Sequence, residues 1–236
     1  MPGKSPAGQQ RPGPARRYSI FVGIAFLALI GVATLNTIRT ESGGTLGTGE
    51  DERGMALPEF AVPDARTGPL DQDANIYQDD CSTSENPCPA EARRDPACEI
   101  EVGGAIRVCD LFDRPLVISF WFTGGADCLP TQDAVDRVAS RYRGRVNFLA
   151  IDIRDDPADV RRIVAERGWR MPVGYDRDGA VSDLYLVGGC PTVAFAFPGG
   201  VLDFAKVGVE ELSEQQLAQH VQRLLRHSRQ RAREDR

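Results

Sequence analysis

The chain has 236 residues, of which 42% are hydrophobic and 26% are charged, and it contains 24 glycines, 16 prolines and six cysteines. This composition excludes collagen-like, wholly disordered and densely disulfide-bonded small proteins. Residues 1–40 carry basic charges only, so the rest of the chain has 23 basic against 34 acidic residues within a formal net charge of -6. A chain with this balance is not expected to bind nucleic acid.

The first recognisable element is an uncharged, mostly apolar stretch over residues 18–38. Its 21 residues cover roughly 31 Å as a helix, and a bilayer core is about 30 Å thick. Arg16 and Arg17 precede it, and by the positive-inside rule they keep residues 1–17 in the cytoplasm. We therefore expect a basic cytoplasmic tail, a single transmembrane helix over 18–38 and a cell-membrane location with an extracytoplasmic C-terminal domain.

A cleavable signal peptide is the alternative interpretation, because residues 31–33 have the small side chains that a cleavage site requires. The apolar run is longer than the roughly 7 to 15 residues of such signals, so an uncleaved anchor is favoured. Residues 39–55 are rich in Gly, Thr and acids without periodicity, which predicts a flexible tether. The folded domain is then expected over 56–229, with a basic disordered tail over 230–236.

Strands and helices alternate after the tether. The apolar, β-branched and aromatic runs 116–122 and 146–153 predict buried strands. Between them, the spacing of Val135, Val138 and Tyr142 predicts an amphipathic helix.

A second helix, a hairpin and a last helix complete the pattern. The second helix is expected over 159–169, and the runs 192–197 and 201–207, joined by Pro-Gly-Gly, predict a hairpin. The last helix is expected to begin at Ser213, whose hydroxyl can form a capping box with Gln216. This order predicts one α/β domain.

Particular residues at the joints of this pattern resemble the thioredoxin-like superfamily. Residues 57–63 resemble the opening segment of its membrane-anchored TlpA-like or redoxin (AhpC/TSA-type) branch, and residues 119–121 resemble the strand before the active site. Residues 187–192 resemble the loop that carries a cis-proline, here Pro191. The resemblance covers about residues 57–225 and implies a central mixed sheet with flanking helices. We expect an N-terminal β-hairpin extension in addition.

The chain departs from this family at the reactive motif. Family members carry Trp-Cys-x-x-Cys at the start of the first helix, whereas residues 124–128 here read Gly-Gly-Ala-Asp-Cys. On the family pattern, Cys128 takes the place of the second cysteine and Gly125 stands at the place of the first. The buried acid of the family is also absent, since Ser119 occupies its position.

Four of the six cysteines are expected to form structural disulfides. Cys98 and Cys109 lie five residues before and five after the Gly-Gly pair at 103–104, so a two-residue turn there would place them opposite each other across a hairpin. Cys81 and Cys88 enclose a turn-prone loop that can close on itself. Export favours such pairs because disulfides persist in oxidising compartments.

The resemblance brings the remaining two cysteines together, because the residue before the cis-proline faces the active-site helix in this family. We therefore predict that Cys128 and Cys190 form a redox-active pair beside Pro191. Exposed amides at the helix start favour a thiolate on Cys128, whereas the neighbouring carboxylate of Asp127 opposes it. The predicted substrate groove is lined by Trp121, Gly124, Gly125, Gly189 and Thr192.

These residues predict a thiol–disulfide oxidoreductase without a cofactor. Its expected partners are thiol- or disulfide-bearing exported proteins or a membrane electron donor. One alternative is a catalytically degenerate thioredoxin-fold module that binds a partner, in which the bond between Cys128 and Cys190 is a third structural disulfide.

A peroxiredoxin-like thiol peroxidase is the other alternative. Its signature, set on Cys128, requires Pro at the position of Trp121 and Thr or Ser at the position of Gly125, and both residues differ. No metal site is expected, because His220 and His227 are the only histidines and neither has a Cys or His at ligand spacing. Both histidines are expected to be solvated helix residues.

Overall fold

The structure, a computed structural model, describes residues 54–70, 74–76, 96–99, 101, 103–124, 127–207 and 212–234, all within one compact unit. The predicted transmembrane segment 18–38, the predicted pair of Cys81 and Cys88, and Gly125 lie outside the described residues. Among the residues that are described, no helix has both the length and the apolar character that a membrane crossing requires.

The first three strands form a small antiparallel sheet. β1 (Phe60–Pro63) lies in the middle, with β2 (Asn75–Ile76) on one side and β3 (Ala105–Arg107) on the other. The backbone amide of Asp64 donates to the carbonyl of Gly104 at 2.7 Å, which ties the start of β3 to the end of β1. The hairpin expected to place Cys98 opposite Cys109 is wrong, because both cysteines lie in short 3₁₀ helices and β3 pairs with β1.

A five-stranded mixed sheet forms the centre of the domain, in the order β6-β5-β4-β7-β8. Strands β4, β5 and β6 are parallel, whereas β7 is antiparallel to β4 and β8 is antiparallel to β7. All six residues of β4 are buried, as expected for an apolar run in the central strand of a covered sheet. The strands are β4 (Leu116–Trp121), β5 (Asn147–Ile153), β6 (Val173–Asp176), β7 (Thr192–Phe197) and β8 (Val201–Val207).

Both faces of this sheet are covered. Helices α1 (Leu129–Arg141), α2 (Pro157–Arg167) and α4 (Glu214–Glu234) contribute side chains to the hydrophobic cluster on one face. Helix α3 (Ala180–Leu184) and β1 contribute to the cluster on the other face. Alternate residues of β4 divide between these clusters, as the two-residue period of a strand requires.

The predicted strands 116–122 and 146–153 and the hairpin are present, and the helices begin close to the expected places. Helix α2 starts two residues early because Asp156 caps it, accepting a hydrogen bond from the amide of Ala158 at 2.9 Å. Ser213 and Gln216 form the expected capping box of α4.

Two elements were missed by the sequence analysis, β6 and α3. The four residues of β6 include Gly174, and a Cβ atom at this glycine would meet Cγ2 of Val62 at 2.3 Å. The glycine lowers the strand propensity of the segment, yet it allows β1 to approach the sheet closely.

The limits of the domain also differ from expectation at both ends. Gly54 and Met55, placed in the tether, hydrogen-bond through their backbones to Leu202 of β8. At the other end α4 continues to Glu234, so the prediction of a disordered tail from residue 230 is wrong. The guanidinium of Arg231 lies 5.2 Å from the ring centroid of Phe197, a cation–π contact that holds this end of the helix against β7.

Candidate functional site

A disulfide joins the start of α1 to the loop before β7. Cys128 is the N-cap residue of α1 and Cys190 directly precedes Pro191, with the peptide bond between Cys190 and Pro191 in the cis form. The two cysteines are 62 positions apart in the chain, and their Cα atoms are 6.1 Å apart. This distance lies within the range of about 4.4 to 6.8 Å for disulfides.

The direction of the strands explains why these cysteines meet. The chain leaves β4 toward Cys128 and enters β7 from Cys190, and β4 and β7 are antiparallel neighbours with Thr192 opposite Phe120. The end of β4 and the start of β7 therefore lie at the same edge of the sheet.

Both cysteines are almost completely buried, although open space adjoins them. Cys128 is 1% exposed and Cys190 is 3% exposed. A Cβ atom built on Gly124, Gly188 or Gly189 would have no atom within 4 Å. Open space therefore adjoins these three glycines, while the bond itself is covered.

Two of the predicted groove residues do not line a surface. Trp121 is fully buried, and its ring packs edge-on against Trp169 with 5.1 Å between ring centroids. Thr192 is also buried, and its hydroxyl donates to the carbonyl of Gly189 at 2.6 Å. The groove prediction was wrong for these two side chains because their positions in β4 and β7 direct them into the core.

Polar side chains lie on the same face of the sheet as the disulfide. The amide nitrogen of Gln132, on the first turns of α1, donates to the hydroxyl of Ser119 at 2.6 Å. Among the described residues, Oε1 of Gln132, Nε1 of Trp121 and Oδ2 of Asp152 are buried without a hydrogen-bond partner. Native proteins leave few such atoms, so their grouping distinguishes this part of the core.

Asp152 is the most perturbed acid of this group. Burial raises its pKa to about 9, with a further contribution from the carboxylate of Asp155. Asp152 pairs with Trp121 in the parallel ladder between β4 and β5. The sequence analysis missed its burial, although the inward alternation of Phe148 and Ala150 carries that signal.

Asp155 ties the chain that leads to Cys128 to the end of β5. Its carboxylate accepts hydrogen bonds from the backbone amide of Thr123 at 2.7 Å and from the hydroxyl of Thr123 at 2.9 Å. Its own amide donates to Oδ1 of Asp152 at 3.2 Å. The loop before α1 is therefore connected through Asp155 to the buried carboxyl group of Asp152.

The second described disulfide joins Cys98 and Cys109, as predicted, with Cα atoms 5.8 Å apart. The cysteines lie in two short 3₁₀ helices, Ala97–Glu99 and Val108–Leu111, and not in facing strands. Cys109 packs against the hydrophobic cluster on the face opposite the first disulfide. A carboxylate oxygen of Glu59 and the two sulfurs lie within 4.8 Å of one another, but the sulfurs are bonded to each other.

The histidines are more enclosed than expected. Nδ1 of His227 lies 2.9 Å from a carboxylate oxygen of the buried Asp203. His220 lies 5.5 Å from the ring centroids of Phe195 and Phe204, and burial lowers its pKa. The prediction that both are solvated is wrong, because β7 and β8 cover this side of α4.

Comparison with known proteins finds sequence similarity to a thiol–disulfide oxidoreductase. No protein-family model matches it. The thiol-disulfide oxidoreductase ResA of Oceanobacillus iheyensis is 25% identical over 99 residues, which cover 42% of this chain and 52% of the relative. The chain thus spans about half of the length of the curated relative that it matches.

Solved structures share the fold. A proposed thiol:disulfide interchange protein DsbE from Chlorobium tepidum has a TM-score of 0.53 and 17% identity, covering 73% of this chain and 97% of that one. A conserved protein of Geobacillus kaustophilus has a TM-score of 0.53 and 17% identity, covering 74% and 82%. The domain therefore has the expected thioredoxin-like fold, a central mixed sheet with flanking helices.

Proposed function

We propose that this protein is a membrane-anchored, extracytoplasmic thiol–disulfide oxidoreductase whose reacting groups are Cys128 and Cys190. The observation that carries the proposal is the pairing of these two cysteines, at 6.1 Å between Cα atoms, where a helix starts beside a Cys-Pro loop. The sequence similarity to an oxidoreductase supports it. The anchor and the orientation rest on residues 16–38 of the sequence.

The proposed exchange proceeds through a mixed disulfide. A substrate thiolate attacks one sulfur of the pair, forming an intermolecular disulfide and releasing the other sulfur as a thiolate. A second substrate thiolate then displaces the enzyme sulfur, so the substrate gains a disulfide and the pair gains two electrons and two protons. The reverse sequence reduces a substrate disulfide.

The start of α1 influences the charge of Cys128 in two opposing ways. Helix amides without intrahelical partners favour an anion at the N-terminus. The carboxylate of Asp127, which accepts a hydrogen bond from the amide of Leu129 at 3.3 Å, opposes one. Open space at Gly124, Gly188 and Gly189 leaves room for a substrate chain beside the bond. The proposed partners are exported proteins that carry thiols or disulfides, or a membrane electron donor.

Insulin reduction by the full-length protein, with a dithiol as electron source, tests the proposal. We expect C128S and C190S each to abolish the activity, because both sulfurs take part. The double variant C98S/C109S removes a disulfide on the opposite face and serves as the matched control, which should stay active. Activity that survives both single substitutions contradicts the proposal.

A module that binds a partner without turnover is the second candidate, and the burial of both cysteines favours it. Reactive cysteines are generally partly exposed, whereas these are 1% and 3% exposed. The reduction potential of the bond separates the candidates. A value below about -300 mV identifies a structural disulfide and supports the binding module, and a higher value supports exchange.

A further inference from the structure

A cavity at the other end of the central sheet carries an unusual concentration of arginines. It has a volume of about 390 Å³, and Arg114, Arg143 and Arg170 line it. Its walls are the residues just before β4 and β6, the first residues of β5 and the end of α1. Cys128 follows the opposite end of β4, and six strand residues cover about 20 Å, so this arginine cavity is separate from the disulfide.

Two of the three guanidinium groups have no partner among the described residues. Within the described part of residues 54–207, every other arginine has an interaction, for example Arg107 with Asp110 at 2.9 Å and Arg167 with Asp133 at 2.8 Å. In that part of the chain, the guanidinium groups of Arg143 and Arg170 have no hydrogen bond, ion pair or ring contact. Both line the same cavity, in a chain where acids outnumber bases.

The local charge is therefore positive. Arg114 lies 3.3 Å from the carboxylate of Asp113, which also accepts a hydrogen bond from Asn147. The C-terminus of α1 adds about -0.5 charge. Three guanidinium groups against these two contributions and the buried carboxylate of Asp136, which bonds to one wall of the cavity, leave about +0.5 charge around the cavity.

The cavity walls are ordered and partly apolar. The buried carboxylate of Asp136 accepts hydrogen bonds from the backbone amides of Arg170 and Met171 at 2.6 and 2.9 Å, which holds that wall in place. Leu111, Val146 and Met171 also line the cavity and contribute apolar surface. The volume falls within the range of about 300 to 1,000 Å³ for small-molecule sites.

We propose that the arginine cavity binds an organic phosphate, with the phosphate between the guanidinium groups and an apolar portion against the remaining wall. A phosphate monoester offers three strong acceptor oxygens, against two on a carboxylate, so it can bond to more of the three guanidinium groups at once. Planar guanidinium groups form paired hydrogen bonds with phosphate oxygens. The site is independent of the thiol chemistry.

Calorimetric titration of the full-length protein in a non-ionic detergent with phenyl phosphate tests the proposal. We expect phenyl phosphate to bind saturably and more tightly than inorganic phosphate, which lacks the apolar ring, or benzoate, which lacks the phosphate group. R143Q and R170Q should each weaken binding at least about tenfold, because each removes charge-assisted hydrogen bonds. Neither guanidinium has a partner within the described residues, so both variants should fold.

R162Q is the matched control, because Arg162 is exposed on α2 and pairs with Asp159 and Glu166 outside the cavity. It should bind phenyl phosphate as the wild type does, and C128S should as well. A short-chain phosphatidate identifies the source of the phosphate: competition at equal or higher affinity indicates a lipid headgroup, and absence of competition indicates a free organic phosphate. The proposal is overturned if phenyl phosphate does not bind saturably or if benzoate binds equally well. It is also overturned if R143Q/R170Q retains binding or if R162Q loses as much binding as these variants do.

Discussion

Asp152 lies directly beside Trp121 in the parallel ladder between β4 and β5, and both side chains are inaccessible to solvent. Because burial, aided by Asp155, raises its pKa to about 9, the carboxyl of Asp152 is neutral near pH 7. The neutral acid lies on the sheet face that carries Cys128 and Cys190. The fold thus keeps a protonated carboxyl group in the core near the candidate site.

Replacement of Asp152 by asparagine should change how stability depends on pH. The folded-state pKa is about 9 and the ordinary value is 3.8, so the unfolded chain ionises first. Wild-type stability should therefore fall as pH rises from about 4 toward about 9, by at most about 1.4 kcal/mol per pH unit from this group. A side-chain amide stays neutral throughout this range, so D152N should lose this decline and be the more stable protein near pH 8. Urea unfolding at several pH values measures the free energy of unfolding of both proteins, with D159N, at an exposed position, as control. If D152N shows the same pH dependence as the wild type, the prediction is contradicted.

Loss of the contact between Thr123 and Asp155 should expose the disulfide. T123V removes the hydroxyl bond of 2.9 Å, and D155N weakens both bonds that hold the loop before α1. A hydrogen bond to a charged group contributes about 1.5 to 3 kcal/mol, so local opening should become at least about tenfold more frequent. The rate of reduction of the Cys128–Cys190 bond by dithiothreitol, followed by alkylation and mass spectrometry, reports this opening. Rates equal to those of the wild type and of D159N would show that the contact does not control access.

Introduction of a methyl group at Gly174 should destabilise the domain. A Cβ atom there would meet Cγ2 of Val62 at 2.3 Å, so β1 must move away from the sheet. Overpacking of this kind costs about 1 to 3 kcal/mol. Gly103 is the matched position, because a Cβ atom there meets nothing within 4 Å. Thermal unfolding should show a lower Tm for G174A than for G103A, and equal values would refute the expectation.

Removal of the Cys98–Cys109 disulfide should lower stability without affecting thiol exchange. The cysteines are 11 positions apart, and closing a loop of this size stabilises a protein by about 3 kcal/mol in the chain-entropy model. Chemical unfolding of C98S/C109S measures the loss. An unaltered unfolding midpoint would mean that packing alone holds the two 3₁₀ helices together.

Local patterns were sufficient for much of the fold. The mostly apolar run of β4 and the Pro-Gly-Gly turn between β7 and β8 were correctly assigned, because periodicity and turn chemistry are properties of neighbouring residues. The pairing of Cys98 with Cys109 was also correct, although the hairpin invoked for it was not. Contact between Cys128 and Cys190 was expected only through the family resemblance, since no local rule joins residues 62 positions apart.

The sequence by itself determined most of the alternation of strands and helices and the absence of a Cys-x-x-Cys motif at residues 125–128, whereas the family resemblance placed Cys128 at a helix start. Only the tertiary structure decided that the carboxyl of Asp152 is uncharged near pH 7 and that Arg143 and Arg170 share one cavity. The physical reason is that burial and charge pairing depend on which distant segments pack together, and these contacts arise from the order and direction of the strands.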